Sequence, residues 1–448
     1  MAGLKRIEGY NEDIINICPN DTMGKVIELE GLFIQLPVEA NDEDALFFGE
    51  DQSEQYWKRQ ELPNALKGIK SMDEWSEQPS NFRKTYSSYI EQEFERRNQG
   101  VWIYLNGEKT YITGTHYFML QWIKIDGSFY GDYLAFQRKL FIHAEACKVD
   151  PRCVGQLFTK CRRSGYTNMA VATLLAEGTM VQDKVLGIMS KTGSDARDNV
   201  FMKKVVSMYR HFPFFFKPIQ DGSTNPRVEL AFREPARKIT KNNKVGGVGE
   251  ALNTIINWKN TVNNAYDGER LYYLFLDEAG KWEKPADIRE AWRINRTCLI
   301  VGRKIVGTAL VGSTVNPMSK GGQQYKDLWN DSNPEERNAN GRTRSMLYRI
   351  FVPAYEALEG FFDKFGNPII DDPEQAIETL EGELIDYGAR TYLNNERKAL
   401  KNDANELNET TRQFPFSTQE AFRDSVESSL FNLGKIYEQK EYNDMMYP

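Results

Sequence analysis

Histidine and cysteine are scarce in this 448-residue chain, which has three of the first and five of the second. Cys18, Cys147, Cys153, Cys161 and Cys298 lie far apart, with no C-x-x-C pair and no histidine cluster beside them. That spacing excludes a zinc ribbon or a disulfide framework, so reduced, semi-buried thiols are expected. His116 and His143 have no partner pattern and receive no functional role. No apolar run approaches the ~18–20 residues needed to cross a bilayer, so no membrane partner is expected. The opening MAGLKRIEGYNEDII lacks the basic-then-apolar order of a secretory signal, and the expected location is the cytoplasm. No internal repeat or low-complexity tract is visible.

Hydrophobic residues make up 40% of the chain and charged residues 27%, enough to build a real core in a soluble protein. A formal charge of -7 argues against a surface that coats nucleic acid throughout, but it permits a local basic patch. FREPARKITKNNK, Phe232 to Lys244, is such a patch, and the stretch from Asp371 to Asp386 is its acidic counterpart. Charge runs are usually solvated faces, so neither segment decides a function alone.

Residues 1–130 read as an N-terminal extension. FRKTYSSYIEQEFERR, Phe82 to Arg97, has the composition of a helix, and the alternating residues around Asn106-Gly107 signal a β-hairpin. Residues 131–345 read as the main domain. FQRKLFIHAEACK and NMAVATLLAEGTM are helical, while Val154 to Thr159, Val185 to Ser190, Leu271 to Leu276 and Ile305 to Gly312 are short apolar strands. Such runs separated by helices predict an α/β fold with a mainly parallel central sheet covered on both faces. The polar segment after Gly321 reads as a loop. Residues 346–448 read as a lid or linker: one more strand in YRIFVPA, then acidic helices and a tail. KVGGVGEALN, from Lys244, reads as a flexible loop or hairpin. RHFPFFFKP, from Arg210, reads as core packing rather than a base-stacking platform.

The stretch LFTKCRRSGYTN, Leu157 to Asn168, follows a strand and opens a helix, as a phosphate-binding loop does. The pattern G-x-x-x-x-G-K-[ST] wants a lysine just after the second glycine. Gly165 and Thr167 match it, but Tyr166 occupies the lysine position and Lys160 stands where the first glycine belongs. Positive charge enters from the other end of the loop, through Lys160, Arg162 and Arg163. Cys161 and Ser164 complete the segment, and Thr167 offers a hydroxyl to Mg²⁺. The competing reading is a surface turn with basic residues.

LYYLFLDEAG places Asp277 and Glu278 at the C-terminal edge of a strand, where ligands bind in open α/β sheets. In a nucleotide hydrolase the aspartate positions Mg²⁺ and the glutamate activates water; otherwise the pair is a helix cap with a charged first turn. Gly312, Ser313 and Thr314 close a further apolar strand and are read as reporting the γ-phosphate. The ordered set of three sheet-edge features carries more weight than any one member.

That set resembles the large terminase subunits of tailed phages, of the lambda-like variety. KCRRSGYT is similar to the family's deviant Walker A motif, FLDEAG to its Walker B motif, and Gly312-Ser313-Thr314 to its coupling motif. AFQRKL, with Gln137, resembles an adenine-reading motif, and RQFPFSTQEAF the link between the motor and nuclease halves. The resemblance implies an ASCE-type P-loop ATPase that uses ATP and Mg²⁺. Its implied partners are double-stranded DNA, a portal protein, a small terminase subunit and further copies in a ring, in the host cytoplasm and transiently at the procapsid portal. Arg162 and Arg163 in cis, and Arg197 and Arg270 toward a neighbour, are the arginine-finger candidates. The residues after RQFPFSTQEAF are too few for a nuclease domain, so ATP hydrolysis without DNA cleavage is expected. A helicase-like DNA-dependent ATPase and a non-hydrolysing nucleotide-binding scaffold are the alternatives.

Overall fold

The computed structural model describes residues 3–5, 13–18, 24–46, 55–221, 225–234 and 251–424, with five isolated helical positions between 436 and 446. Its centre is a seven-stranded sheet, numbered here along the chain as β1 (Gly155–Thr159), β2 (Val185–Met189), β3 (Glu229–Phe232), β4 (Thr254–Trp258), β5 (Tyr273–Asp277), β6 (Thr308–Ser313) and β7 (Leu347–Phe351). The spatial order is β3-β4-β2-β5-β6-β1-β7. Every neighbouring pair is parallel except β3 with β4. Mainly parallel pairing under helices on both faces is the expected α/β architecture.

The apolar runs follow from burial on both sides. Every residue of β1, β5 and β6 is buried. Alternate side chains serve opposite faces, as a strand's period of two requires. Phe158, Phe275 and Leu310 join one core with Phe118, Phe136, Leu174 and Phe201. Leu157, Leu274, Leu276 and Val311 join the other with Trp282, Trp292, Tyr325 and Trp329.

Two expected boundaries do not match this packing. Phe118, Met119 and Trp122, from the segment read as an extension, sit in the same core as Phe158 and Phe275. The strand after residue 345 belongs to the sheet, because β7 pairs with β1 from Leu347↔Gly155 to Phe351↔Thr159. The segment read as a loop after Gly321 contains the helix Gly322–Asn330. Its Tyr325, Leu328 and Trp329, three and four positions apart, fill the second core. The acidic stretch is not helical at Ile377–Glu378 and Leu384–Ile385, which pair as a small antiparallel hairpin; helices follow at Ala389–Ala399 and Ala404–Gln413.

Other elements form as their residues dictate. Helices cover Ser80–Gln99 and Ala135–Val149. The hairpin pairs Val101–Leu105 with Glu108–Ile112. Asn106 and Gly107, with φ of 48° and 78°, supply the left-handed pair that a tight hairpin turn needs. Phe212, Phe214, Phe215 and Phe216 are buried, so the aromatic cluster is core. The basic patch beyond Glu234 and the glycine-rich segment up to Glu250 lie outside the described residues. Among the described residues, no helix is long and apolar enough to cross a membrane.

Candidate active site

β1 ends at Thr159, and a short loop leads into the helix Tyr166–Gly178. Arg163 and Gly165 turn the loop with φ of 65° and 72°, and at Gly165 this costs nothing because there is no Cβ. The helix therefore starts directly at the loop, with its unpaired N–H groups and positive dipole end available to an anion. β6 lies between β1 and β5, so the C-terminal ends of all three strands are side by side. The Lys160 N–H donates to the Ser313 carbonyl at 2.9 Å, fixing the loop's first residue against β6.

This edge gathers the charged groups. Lys160 is buried, and its Nζ lies 2.8 Å from Glu278 Oε1. The other Glu278 oxygen, Oε2, lies 2.7 Å from Lys281 Nζ. Burial alone would push the Glu278 carboxyl up, but Lys160 and Lys281 outweigh it and hold the group at about 2. Burial likewise disfavours a charged Lys160, yet Glu278 and Asp277 overcome it and raise its pKa. The two groups meet as a carboxylate and an ammonium.

Asp277 accepts from Thr167 Oγ1 at 3.0 Å and from Ser190 Oγ at 2.9 Å. Burial pushes its carboxyl up, against the pull of Lys160. Thr167, Ser190 and Asp277 thus form a compact set of hard oxygen donors, the chemistry Mg²⁺ prefers when substrate phosphates complete its shell. Thr314 Oγ1 stands 3.5 Å from Glu278 Oε2, and Ser313 Oγ turns back to the Thr314 carbonyl.

The remaining predicted residues divide. Tyr166 is core: its ring packs on Phe158, and its hydroxyl donates to Gln156 Oε1 at 3.0 Å. Within the loop segment read as ATP-binding, Tyr166 therefore has its backbone, not its side chain, free to face a phosphate. Cys161 is also buried, with its thiol pushed up to about 12 by burial. The Ser164 hydroxyl and the Gln137 amide oxygen are buried without a hydrogen-bond partner. Gln137 lies against the loop, its Nε2 only 3.5 Å from where a Cβ on Gly165 would be. Arg162 and Arg163 are exposed and line a cavity of about 670 Å³ with Leu358, Tyr392 and Phe414. That volume is in the range of small-molecule sites. The Arg162 N–H also donates to Gln413 O at 2.9 Å, tying the loop to the helix Ala404–Gln413.

Of the remote arginines, Arg270 lies away from this edge, whereas Arg197 stands over the ring of Trp258, the last residue of β4. Arg270 precedes β5, at the end opposite Asp277, roughly 20 Å away at the rise of an extended strand. Arg197 is exposed and holds Asp198 with two bonds of 2.8 Å. Sequence reasoning missed Ser190 and Lys281. Ser190 ends the apolar run of β2 at the same sheet edge, and Lys281 stands three residues after Glu278, so both had a positional signal.

No protein-family model matches the sequence, and no curated protein does. Among solved structures, the chain is similar to the HK97 bacteriophage large terminase, at 14% identity over 55% of this chain and 44% of that chain, with a TM-score of 0.37. It is similar to the large terminase ATPase domain of Thermus phage P74-26, at 14% identity over 45% of this chain and 76% of that one, with a TM-score of 0.32. The large terminase of a further thermophilic bacteriophage, in complex with ADP, is similar at 14% identity over 45% of this chain and 40% of that one, with a TM-score of 0.27. The chain spans less than half the length of the HK97 large terminase it matches.

Proposed function

We propose that this sheet edge binds ATP and hydrolyses it, with Lys160 as the displaced phosphate-loop cation and Glu278 as the general base. The observation that carries the reading is a pair of contacts at the ends of β1 and β5, Lys160 with Glu278 and Thr167 with the adjoining Asp277. A triphosphate in the loop competes with Glu278 for the Lys160 ammonium, and its transfer to phosphate frees Glu278 Oε1. That oxygen then takes a proton from water as the water oxygen bonds to the γ-phosphorus. The bond from that phosphorus to the departing ADP oxygen breaks, leaving phosphate and ADP. Bound Mg²⁺ would neutralise β- and γ-phosphate charge, held by Asp277 and Thr167. Arg162 and Arg163 border the site and act as cis candidates for charge on the transferred group, with Arg197 and Arg270 left as candidates toward a neighbouring copy.

The motif set supports a larger role as the motor half of a terminase large subunit. In that role hydrolysis moves double-stranded viral DNA into a procapsid, with Gly312, Ser313 and Thr314 relaying loss of the γ-phosphate. The partners proposed are a portal protein, a small terminase subunit and further copies in a ring, in the host cytoplasm and at the portal vertex. Steady-state ATP turnover of the wild type against Glu278→Gln tests the chemistry, with a loss of about 10²–10⁴ expected for removing a general base. Equal turnover in both would remove Glu278 from the mechanism, and no turnover in either would favour a non-hydrolysing scaffold. These residues are further proposed not to cut DNA, which incubation with plasmid and Mn²⁺ tests.

A further inference from the structure

The two oxygens of Glu278 have different surroundings. Oε1 faces Lys160, whereas Oε2 faces Lys281 Nζ at 2.7 Å and Thr314 Oγ1 at 3.5 Å. Lys281 ends the short helical turn Ala279–Lys281, and its own N–H donates to the Glu278 carbonyl at 2.9 Å. The residues around it are fixed: Gly280 and Trp282 are buried, and the Trp282 indole donates to the Asp277 carbonyl at 3.2 Å. Lys281 therefore reaches back over a rigid turn to the carboxylate three residues earlier.

Glu278 needs such a hold. Its backbone is left-handed, with φ of 50°, and its side chain starts from a turn rather than from a helix or strand. A Thr314 contact of 3.5 Å is at the limit of a hydrogen bond and too weak to fix a rotamer. Once phosphate takes Lys160, Lys281 is the strong contact left among those described.

We propose that Lys281 is a positioning residue for hydrolysis, tethering Glu278 Oε2 so that Oε1 faces the reacting water. The inference rests on Glu278 being the base of an ATPase. It assigns one oxygen to proton transfer and the other to anchoring, with Thr314 beside the anchored one.

Steady-state kinetics of the full chain with ATP and Mg²⁺ test this, together with the affinity of a non-hydrolysable ATP analogue. Lys281→Ala should lower kcat about ten- to a hundredfold, less than the ~10²–10⁴ that a general base itself contributes, and leave KM and analogue affinity within about threefold. Lys281→Arg should recover most of kcat. Lys281→Met keeps the aliphatic stem and separates charge from packing; it should behave like the alanine variant with a thermal midpoint near that of the wild type. An unchanged kcat in Lys281→Met overturns the tether. So does a raised KM at constant kcat, which would place Lys281 on the phosphates. A wild type that hydrolyses no ATP overturns the ATPase reading beneath it, an outcome distinct from either.

Discussion

Gly312→Ala tests whether the loop proposed to hold phosphate is built on the packing of Tyr166. Gly312 lies in β6 between Asp277 of β5 and Phe158 of β1. A Cβ there would fall 2.1 Å from Tyr166 Cε1 and 2.4 Å from Cδ1. Carbon atoms rest at ~3.5–4.0 Å, so the ring or the strand must give by about 1.5 Å. Neither moves easily. Tyr166 is buried, its ring centroid is 4.9 Å from that of Phe158, and its hydroxyl is bonded to Gln156. Overpacking of this kind costs ~1–3 kcal/mol, and a lost buried hydrogen bond adds about 1 kcal/mol. At about 2–4 °C per kcal/mol for a domain of roughly 150–250 residues, the melting temperature should fall by roughly 4–16 °C. Tyr166 is also the first residue of the helix at the proposed ATP site, so ATP-analogue affinity should fall with it. Differential scanning fluorimetry and analogue binding measure both. Once Tyr166→Ala has removed the ring, adding Gly312→Ala should cost little further, a non-additivity expected of touching residues. A Gly312→Ala variant that melts and binds like the wild type would refute the packing argument.

Two further predictions concern buried groups, one at each end of the helix Tyr166–Gly178. Arg97 is buried, donates to the Leu175 and Ala176 carbonyls at the C-terminal end of the helix Tyr166–Gly178, and stacks 4.3 Å from Phe118 and 4.8 Å from Phe216. Arg97→Ala should cost about 2–4 kcal/mol in urea unfolding, through lost packing and lost buried hydrogen bonds, and a change near zero would contradict that role. Cys161 sits in the loop yet is buried, and its thiol, raised to about 12, stays protonated at pH 8. Iodoacetamide should therefore leave it unlabelled in the folded protein and label it in urea, as read by peptide mass spectrometry; labelling of the folded chain would place Cys161 at the surface.

The strands that carry chemistry were legible because burial on both faces makes them continuous apolar runs, as in LYYLFL and TALVG. β3 and β4, ELAF and TIINW, were not, because one is a short edge strand and the other mixes polar with apolar residues. The helix Gly322–Asn330 was hidden by its two leading glycines, although Tyr325, Leu328 and Trp329 carried its spacing. At the site, residue type and strand ends located Lys160, Asp277 and Glu278. Tyr166, in the lysine position of the loop pattern, is a core contact against Phe158 of β1 and Gly312 of β6, which the pattern alone does not show. Ser190 and Lys281 required three dimensions, since strand order brings Ser190 to Asp277 and a turn brings Lys281 back to Glu278.

The central claim is that Lys160 serves both Glu278 and the phosphates. A structure of the chain with a non-hydrolysable ATP analogue and Mg²⁺ tests it most directly. The account predicts Lys160 Nζ within hydrogen-bond distance of a phosphate oxygen and withdrawn from Glu278 Oε1. Lys160 still paired with Glu278, while Arg162 or Arg163 alone reached the phosphates, would contradict it.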